Sequence, residues 1–435
     1  SSLSRDVTFI ADVRTAQIAV LEVTQDYAVA DGSTANTLRA RVTDAFGNAL
    51  AGQTVSVTAG NGATVSPTVI TGPDGTVEIS VTSQTAGVSA VTATINNSTA
   101  SQNVMFIADV RTAKIADLVV IKDDSVADGA MANMLRARVT DAFGNALAGQ
   151  TVSVMAGNGA TTAPTVTTQP DGTVEISATS QTAGISTVTA TINNSSLSRN
   201  VMFVADVRTA QIADLVVIKD GSVADGSTAN MLRVRVTDAF GNALGGQTVS
   251  VLADNGVTTA PTVITEPDGT VEISVTSQTA GVSAVTATIN SSSQSQNVTF
   301  IADVRTAKIA DLVVIKDGSE ADGSTANTLR ARVTDAFGNA LAGQAVSVMA
   351  GNSATVTPTV TTQSDGTVEF SVTSQTAGTS TVTASINSSS LSRDVTFIAD
   401  VRTAQIAVLE VTQDYAVADG STANTLRARV TDAFG

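Results

Sequence analysis

At Thr76–Thr82 the sequence reads TVEISVT, in which apolar and polar residues alternate. Alternation with a period of two is typical of a β-strand that buries one face and exposes the other. The preceding Pro73, Asp74 and Gly75 form a turn motif, because Gly accepts the positive φ angle that such turns require. This turn and strand recur at residues 170–179, 267–276 and 364–373. The recurrence predicts a chain built from repeated β-sheet units.

The hexapeptide ADVRTA gives the length of the repeat. It begins at Ala11, Ala108, Ala205, Ala302 and Ala399, so successive copies are 97 residues apart with no insertion or deletion between them. A period of this length exceeds the units of solenoid proteins and matches one small globular domain. Residues 1–47 are identical to residues 389–435, so we expect the chain to be a window cut from a longer array.

Seven segments of each repeat have the character of strands. In the first complete repeat they lie near residues 18–24, 37–43, 53–58, 64–71, 76–82, 88–95 and 102–108. Turn motifs rich in Gly, Asn and Asp separate them. Seven short antiparallel strands in about 100 residues are typical of an immunoglobulin-like (Ig-like) β-sandwich. The core Trp and the disulfide of antibody domains are excluded, because the chain contains no Trp and no Cys.

The predicted fold class is therefore all-β, with a tandem array of seven-stranded Ig-like β-sandwich domains. The predicted domains are the last strand of a preceding repeat at 1–10, Ig-like repeats at 11–107, 108–204, 205–301 and 302–398, and the first strands of a truncated repeat at 399–435. The junction at residues 106–115 contains no Gly and no Pro, so we expect one domain's last strand to run almost directly into the next domain's first strand. Such junctions predict an elongated rod.

Differences between the copies indicate which strand positions face outward. Met105 aligns with Thr299 of the third repeat, an exchange that is easy in solvent and costly in a core. The neighbouring Phe106 is Phe in every copy, as expected for a buried position. Val20 aligns with Asp117, which predicts an outward position there. The odd spacing of the apolar residues around Val20 predicts a bulge in the first strand.

Two arginines are expected on the outer face of the same sheet. Arg39 and Arg41 alternate with apolar residues, and Glu78 is predicted to lie on the adjacent strand. We interpret these residues as an exposed cross-strand ion pair, which contributes roughly a few tenths of a kcal/mol. A ligand-binding role for the arginines is the alternative.

Composition excludes several classes of function. The 435 residues include no His and no Cys, so the common catalytic triads, dyads and thiolate metal sites are excluded. The formal net charge of −16 argues against nucleic acid and against an anionic membrane surface as partners. No segment has the length and apolar character of a membrane helix, so we expect no direct membrane insertion by this segment.

Three aspartates are the remaining candidates for acid–base chemistry. Asp31, Asp44 and Asp74 each sit in a turn or beside a Gly, where Asp commonly accepts local backbone hydrogen bonds. We interpret them as residues that serve their own turns. The sequence therefore predicts no catalytic residue, no cofactor-binding residue and no cofactor.

Calcium is the one metal that needs separate consideration. Asp109 and its copies Asp12, Asp206, Asp303 and Asp400 lie at the junctions, and Asp31 is expected near one end of the domain. Acidic residues at such junctions can chelate calcium in extracellular repeats, yet the ion prefers six to eight oxygen ligands and each junction offers fewer carboxylates. We predict no metal site, and whether calcium stiffens the junctions stays open.

Five motifs of the repeat together resemble one known family. They are ADG at 30–32, VTDAFGN at 42–48, GQTVSV at 52–57, DGTV at 74–77 and TSQTAG at 82–87. The chain resembles the bacterial Ig-like group 1 domains, which build the extracellular arms of intimin- and invasin-type adhesins, the inverse autotransporters. The resemblance covers essentially the whole chain. It implies an outer-membrane β-barrel anchor upstream, export through that barrel and, in many members, a distal receptor-binding end.

The expected function is that of a non-catalytic extracellular stalk of a bacterial surface adhesin, which projects a binding tip away from the outer membrane for cell adhesion. The expected partner is a host-cell or bacterial surface receptor, bound through regions outside this fragment. The expected location is the cell surface, with an anchor in the outer membrane through a region not in this chain.

Two alternatives to the stalk stay open. The repeats themselves bind host or neighbouring-cell surfaces multivalently, with avidity supplying the strength, or they self-associate weakly in a filament or biofilm scaffold. Differences between the copies, such as Val126 against Glu320, are scattered and singly placed, which favours a spacer over distinct binding sites.

Overall fold

The structure is a computed structural model that describes residues 3–435. Each complete repeat folds as a sandwich of one four-stranded and one five-stranded β-sheet. The chain divides into two compact units, residues 1–207 and 208–435, and each unit contains two of these sandwiches. The predicted all-β class with tandem Ig-like domains is confirmed.

The strands of the first repeat are β1 (Gln17–Gln25), β2 (Ala28–Val29), β3 (Asn36–Thr43), β4 (Thr54–Ala59), β5 (Thr64–Val65), β6 (Thr68–Ile70), β7 (Thr76–Thr82), β8 (Gly87–Ile95) and β9 (Ser98–Ile107). Those of the second are β10 (Lys114–Lys122), β11 (Ser125–Val126), β12 (Ala132–Thr140), β13 (Thr151–Ala156), β14 (Thr161–Thr162), β15 (Thr165–Thr167), β16 (Thr173–Thr179), β17 (Gly184–Ile192) and β18 (Ser195–Val204).

The third repeat has β19 (Gln211–Lys219), β20 (Ser222–Val223), β21 (Asn230–Thr237), β22 (Thr248–Ala253), β23 (Thr258–Thr259), β24 (Thr262–Ile264), β25 (Thr270–Thr276), β26 (Gly281–Ile289) and β27 (Ser292–Ile301). The fourth has β28 (Lys308–Lys316), β29 (Ser319–Glu320), β30 (Asn327–Thr334), β31 (Ala345–Ala350), β32 (Thr355–Val356), β33 (Thr359–Thr361), β34 (Thr367–Thr373), β35 (Gly378–Ile386) and β36 (Ser389–Ile398). Beyond it, β37 (Gln405–Gln413) pairs with β38 (Thr425–Thr431). Short 3-10 turns lie at Val13–Thr15, Val110–Thr112, Val207–Thr209, Val304–Thr306 and Val401–Thr403.

The two sheets of a repeat have different strand orders. In the first repeat the four-stranded sheet has the order β1-β3-β7-β5, and the five-stranded sheet has the order β2-β9-β8-β4-β6. The short strand β2 runs parallel to β9, and the other neighbours are antiparallel. The same two orders recur in the other complete repeats.

The structure corrects the predicted count of seven strands. The segment predicted as one strand at 64–71 is divided at Pro67 into β5, which pairs with β7, and β6, which pairs with β4. Pro lacks the amide donor that a continuous strand needs, so the chain crosses between the sheets at this point. The two-residue strand β2 has no counterpart among the predicted segments. Each complete repeat therefore has nine strands.

The core of each sandwich is largely aliphatic and contains one buried Phe on the final strand, with Phe370 as a second buried Phe in the fourth repeat. In the first repeat Phe106 is 1% exposed, and Leu38 and Ile79 are fully buried. These three residues lie on β9, β3 and β7, so both sheets contribute to the core, as in other β-sandwiches. Burial of each such side chain contributes about 1.5–3 kcal/mol, and this is the main favourable term in a domain without disulfides.

The outward positions predicted from differences between copies agree with the structure. Val20 is 44% exposed, and Phe106 is buried. The predicted bulge lies between Ile18 and Val20, where the register against β3 shifts. The extra residue turns Val20 toward solvent and leaves Leu21 buried in the core.

A buried asparagine links the two sheets of each repeat. Asn36 on β3 is fully buried, yet its Oδ1 accepts from the backbone N–H of Ala28 at 2.9 Å and its Nδ2 donates to the carbonyl O of Met105 at 2.9 Å. Ala28 and Met105 lie on β2 and β9 of the opposite sheet. The side chain is therefore satisfied, and it fixes the position of β2 where the aliphatic core has no directional contacts.

The connection between repeats differs in detail from the prediction that one strand runs almost directly into the next. Strand β9 ends at Ile107 and β10 begins at Lys114, with the 3-10 turn Val110–Thr112 between them. The carboxylate of Asp109 caps this turn by accepting from the backbone N–H of Arg111 at 3.1 Å. The cap fixes the path of a connection that contains neither Gly nor Pro.

The glycine in the Asp-Gly turn before β7, and its copies in the other repeats, should tolerate substitution least. Gly172 has a φ of +76°, and a Cβ added there would lie 2.7 Å from the carbonyl O of Val139. We expect Ala at Gly75, Gly172, Gly269 and Gly366 together to lower the free energy of unfolding by roughly 3 kcal/mol or more per repeat, because backbone strain adds to a steric clash. Urea unfolding followed by circular dichroism measures the loss.

Gly149 offers a matched control, since its φ is +68° and it has open space around it. Ala at Gly52, Gly149, Gly246 and Gly343 should cost only the backbone strain, about 1 kcal/mol per repeat. Equal losses in the two sets would show that the clash does not contribute.

Candidate functional site at the junction between repeats

The candidate site is centred on the carboxylate of Asp141, in the turn that follows β12. Its Oδ1 accepts from the backbone N–H groups of Phe143 and Asn145, each at 2.9 Å. Its Oδ2 accepts from Nδ2 of Asn145 at 2.8 Å and from the backbone N–H of Asp109 at 3.2 Å. Asp141 is fully buried, and these four donors offset the cost of burying its charge. The carboxylate thus holds the turn to the connection that enters the repeat.

Asn145 joins this turn to the preceding repeat. Its Nδ2 donates to the carbonyl O of Gln84 at 2.9 Å, and its Oδ1 accepts from the backbone N–H of Ala86 at 2.8 Å. Gln84 and Ala86 lie in the turn between β7 and β8 of the first repeat. A carboxamide suits this contact because it presents a donor and an acceptor side by side, as a peptide group does. We call these two hydrogen bonds the junction clamp.

The first repeat shows the same turn without a complete sandwich before it. Asn48 still donates from Nδ2 to Asp44 Oδ2 at 2.9 Å, and this hydrogen bond is the main cause that lowers the pKa of Asp44. Phe46 of this turn is 89% exposed, whereas the equivalent Phe143 is 47% exposed. The preceding repeat therefore covers about half of the Phe143 surface in addition to forming the junction clamp.

The junction clamp recurs within the second unit. Asn339 of the fourth repeat donates to the carbonyl O of Gln278 at 2.9 Å and accepts from the backbone N–H of Ala280 at 2.8 Å. Phe337 is 48% exposed, close to the value for Phe143. The two junctions thus have the same polar contacts and the same degree of apolar cover.

Exposed arginines flank the junctions. Nε of Arg111 lies 3.0 Å from Asp109 Oδ1, and Arg305 makes the same contact with Asp303. The hydrogen bond from Arg305 is the main cause that lowers the pKa of Asp303. Both arginine side chains are more than 70% exposed, so screening by solvent makes these ion pairs worth little to stability.

One ion pair is specific to a single junction. Arg402 pairs with Asp400 and also reaches Glu320 of the fourth repeat. The residue equivalent to Glu320 in the second repeat is Val126, which cannot form this contact. The clamp is therefore common to the junction of the first and second repeats and that of the third and fourth, whereas the ion pair between Arg402 and Glu320 belongs to one junction.

Asp31 and Asp74 bond within their own turns, as predicted, whereas Asp44 also accepts from the backbone N–H of Asp12 at 3.3 Å, outside its turn. Asp31 Oδ1 accepts from the backbone N–H groups of Ser33 and Thr34 at 2.7 and 2.6 Å. The hydrogen bonds from Thr34 are the main cause that holds the pKa of Asp31 far below its usual value. Asp74 Oδ1 accepts from the backbone N–H of Thr76 at 3.0 Å.

The junction aspartates considered for calcium are occupied by protein donors. Asp109 accepts from the backbone N–H and from Nε of Arg111. Within residues 3–435, no group of three or more Asp, Glu, His or Cys side chains has an arrangement that could hold a metal ion.

A shallow depression of about 400 Å³ lies on the outer face of the four-stranded sheet of the first repeat. It is lined by Val20, Glu22, Arg39, Arg41, Asp74 and Thr76. The predicted ion pair between Arg39 and Glu78 is wrong in its partner. Glu78 lies opposite Arg39 in the register of β3 and β7. Nε of Arg39 instead donates to Oε1 of Glu22 on β1 at 2.8 Å. Carboxylates thus accompany both arginines, and the depression has no excess of positive charge.

A smaller polar groove recurs in the second, third and fourth repeats, with volumes of about 260, 300 and 270 Å³. In the second repeat it is lined by Gly129, Gly159, Thr161, Thr179, Ser180 and Gln181. Its walls offer hydroxyl and amide groups without a charged side chain, so it can form hydrogen bonds but contains no group for acid–base chemistry.

Sequence reasoning selected the aspartates of the junction and did not select Asn145. A signal for it exists in the sequence, because Asn stands at this position in each of the four DAFGNAL motifs. Its contact with the preceding repeat could not be predicted, since it depends on the relative placement of two domains.

A family model described as the bacterial Ig-like domain (group 1) matches residues 18–107, 115–204, 212–301 and 309–398. The chain belongs to this family. The resemblance inferred from the sequence motifs is thereby confirmed. Each matched segment begins at the second residue of a repeat's first long strand and ends at the last residue of the repeat's final strand.

The group 1 Ig-like repeats of this chain are also similar to individual adhesins. The chain is 32% identical over 461 residues to the inverse autotransporter adhesin YeeJ of Escherichia coli strain K12, with all of this chain and 19% of YeeJ covered. The chain thus spans about a fifth of the length of that relative.

Three solved structures are also similar to this chain. Invasin, described as a bacterial integrin-binding protein, is 22% identical with a TM-score of 0.42, and 90% of this chain and 82% of that chain are covered. InvD of Yersinia pseudotuberculosis is 16% identical with a TM-score of 0.43, with coverage of 66% and 98%. The D0-D1 domain of intimin is 26% identical with a TM-score of 0.21, with coverage of 43% and 98%. Among residues 3–435, no helix has the length and apolar character to cross a membrane.

Loss of the junction clamp should loosen the contact between neighbouring group 1 repeats. We expect Asn145→Ala to speed hydrogen exchange of the Ala86 amide, and Asn339→Ala that of the Ala280 amide, by roughly five- to tenfold, because each variant removes a hydrogen bond worth about 1 kcal/mol. Exchange measured by mass spectrometry or NMR on the whole chain reports this change.

Asn48→Ala is the matched control for this experiment. It removes the same hydrogen bond to the turn aspartate but no contact to a preceding sandwich, so exchange at Ala86 should stay at the wild-type rate. If Asn145→Ala left the Ala86 amide equally protected, the clamp would not be stabilising the junction.

Acid should destabilise the repeats through the turn aspartates. Hydrogen bonds from Thr228 and Thr325 hold the pKa values of Asp225 and Asp322 far below their usual range. A carboxyl whose pKa is lower in the folded state adds stability that is present above the unfolded pKa of about 3.9 and is lost as the pH falls toward the folded value. We therefore expect the free energy of unfolding to decrease below about pH 4.

The triple variant Asp31→Asn, Asp225→Asn, Asp322→Asn should lose less stability between pH 4 and pH 2 than the wild type, as measured by urea unfolding at each pH. The variant Asp117→Asn, Asp214→Asn, Asp311→Asn controls for the loss of three negative charges, because these residues lie exposed on a sheet face. An unchanged acid dependence in the first variant would contradict the assignment.

Proposed function

We propose that these repeats form the non-catalytic, extracellular stalk of a bacterial surface adhesin and hold a receptor-binding tip away from the outer membrane. The observation that carries the proposal is the junction clamp. A stalk must transmit position from one domain to the next, and Asn145 connects two sandwiches by side-chain hydrogen bonds to backbone groups. Such a contact depends on the fold of both neighbours and not on charge, so it persists at any ionic strength.

The uniformity of the repeats supports a spacer. The clamp residues Asn145 and Asn339 make the same bonds at two junctions, so any repeat can follow any other. Differences between copies are scattered, and the recurring groove of the second to fourth repeats is small and uncharged. A chain selected for length requires compatible ends and tolerates neutral change elsewhere.

The similarity to an inverse autotransporter adhesin over the whole chain supports the location and the kind of partner. In this proposal the receptor is a host-cell or bacterial surface molecule, and it is bound by regions outside residues 1–435. The anchor in the outer membrane also lies outside them. The tip of the intact protein determines which receptor is bound.

The direct test compares the purified chain with the intact protein for binding to epithelial cells and to matrix proteins, with and without calcium. The stalk proposal expects binding by the intact protein alone. Binding by the purified chain would replace the stalk with a multivalent binder. If that binding required calcium, the junction aspartates would be the candidate ligands of the ion.

Removal of one whole period tests the role of length. Deleting residues 108–204 from the intact protein joins residue 107 to residue 205 and restores the same junction sequence. We expect unchanged affinity of the soluble protein for its receptor and weaker attachment of bacteria whose surface polysaccharide is thick, because the tip then lies closer to the membrane. If the soluble deletion variant also bound its receptor more weakly, the deleted repeat would take part in binding.

A further inference from the structure

Asparagine is followed directly by glycine at three equivalent places in the chain. The pairs are Asn61-Gly62, Asn158-Gly159 and Asn255-Gly256, in the first, second and third repeats. In the first repeat the pair forms the tip of the turn between β4 and β5, and both of its residues are exposed. Asn61 has a φ of 49° and Gly62 a φ of 68°, which is the left-handed backbone typical of an Asn-Gly hairpin turn. We call these three pairs the Asn-Gly turns.

The glycine amide of an Asn-Gly turn does not make the hydrogen bond that closes the turn. In the first repeat the N–H of Ala63 donates to the carbonyl O of Gly60 at 3.0 Å, and in the second the N–H of Ala160 donates to the carbonyl O of Gly157 at 3.0 Å. The glycine lies between donor and acceptor, at the exposed tip of the turn. Its nitrogen therefore sits one peptide bond from an exposed carboxamide and is not needed to hold the turn together.

The Asp-Gly pairs of the repeats are held differently. The N–H of Gly32 donates to the carbonyl O of Ser83 at 2.9 Å, and the N–H of Gly75 donates to the carbonyl O of Gly72 at 2.9 Å. The carboxylates that precede these glycines accept from backbone N–H groups in their own turns. Both reactive groups of such an Asp-Gly pair are thus engaged in hydrogen bonds, which distinguishes it from an Asn-Gly turn.

We propose that Asn61, Asn158 and Asn255 are sites of self-modification, at which the asparagine converts to isoaspartate or aspartate without an enzyme. The backbone nitrogen of the glycine gives up its proton to solvent base and attacks Cγ of the preceding Asn, and the carboxamide nitrogen leaves as ammonia. One water then opens the resulting succinimide ring at either of its two carbonyl groups. Glycine favours the attack because it has no Cβ to shield its nitrogen. Each conversion takes up one water, releases one ammonia and adds one negative charge.

The Asn-Gly turn lies against the turn that takes part in the junction clamp. A Cβ added at Gly87 would lie 3.2 Å from Nδ2 of Asn61. Gly87 directly follows Ala86, whose N–H donates to the clamp residue Asn145. The third repeat has the same arrangement beside the clamp of the second unit. Isoaspartate lengthens the backbone of the turn by one atom and places a carboxylate near this contact, so conversion should displace the neighbouring turn and loosen the clamp.

This inference goes beyond the proposed stalk and is tested without a receptor, because it concerns a covalent change in the purified chain. The experiment incubates the whole chain for days at neutral and at alkaline pH and maps isoaspartate by peptide mass spectrometry. We expect conversion at the three Asn-Gly turns, faster in alkali because the attacking nitrogen must lose its proton. Asn352 stands at the equivalent position of the fourth repeat but is followed by Ser353. It should convert roughly tenfold more slowly, since the serine side chain hinders the attack.

Reciprocal variants give the matched control. The triple variant Gly62→Ser, Gly159→Ser, Gly256→Ser should convert at the slow rate of Asn352, and Ser353→Gly should raise Asn352 to the rate of the Asn-Gly turns. Both variants should fold, because each introduces a residue that already stands at the equivalent position of another repeat, where Ser353 itself has a φ of 57°. Equal conversion at Asn-Gly and Asn-Ser sites, or no conversion at the Asn-Gly turns, would overturn the proposal.

Hydrogen exchange tests the effect on the clamp. After ageing, the amides of Ala86 and Ala280 should exchange severalfold faster than in fresh protein, because the turn that presents them has shifted. The aged triple Gly→Ser variant should keep the exchange rates of the fresh chain. Unchanged exchange in fully converted wild type would overturn the link between the modification and the junction.

Discussion

Within each compact unit, the buried carboxylate at the start of the DAFGN turn is the contact on which the junction between neighbouring repeats depends. Asp141 receives four hydrogen bonds: two from backbone N–H groups of its own turn, one from the side chain of Asn145 and one from the backbone of Asp109. Removing its charge or its shape would release the turn and the entry connection together, because both are held by the same two oxygens, and it would free the Asn145 carboxamide that forms the clamp. A buried ionised group is costly to strand without partners, so the surrounding donors must stay in place.

This arrangement explains how a junction without Pro, Gly or disulfide can be specific. The 3-10 turn Val110–Thr112 is too short to have stability of its own. It is held by the cap from Asp109, by Asp141 behind it and by the clamp from Asn145 to the preceding repeat. The flanking arginines add little because they are exposed. The junction therefore relies on hydrogen bonds between backbone groups and buried carboxylates or an uncharged carboxamide, and burial shields the carboxylates from screening by salt.

The sequence predicts the sandwich well because its evidence is local. Alternation at Thr76–Thr82, turn motifs and exchanges such as Met105 for Thr299 indicate strands, faces and the bulge at Val20, and the structure agrees. Prediction from the sequence fails where strand pairing or a side-chain partner depends on residues distant in sequence. Pro67 divides one predicted strand between two sheets, and only the sheet pairing reveals that. The ion pair of Arg39 goes to Glu22 because β1 also borders β3, a choice between two neighbours that alternation cannot make.

Comparison of the copies with one another indicates where the constraint on this chain is strongest. At one left-handed backbone position the first repeat has Tyr27 with a φ of 60°, the second has Asp124 with a φ of 56°, and the third and fourth have Gly221 and Gly318. A non-glycine residue there costs about 1 kcal/mol or more, yet the copies tolerate it. The Asn of the clamp does not vary among the four DAFGNAL motifs. The backbone position thus tolerates residues that cost stability within a domain, whereas the position that supplies the clamp at two junctions holds Asn throughout, because a carboxamide presents the donor and the acceptor that both contacts need.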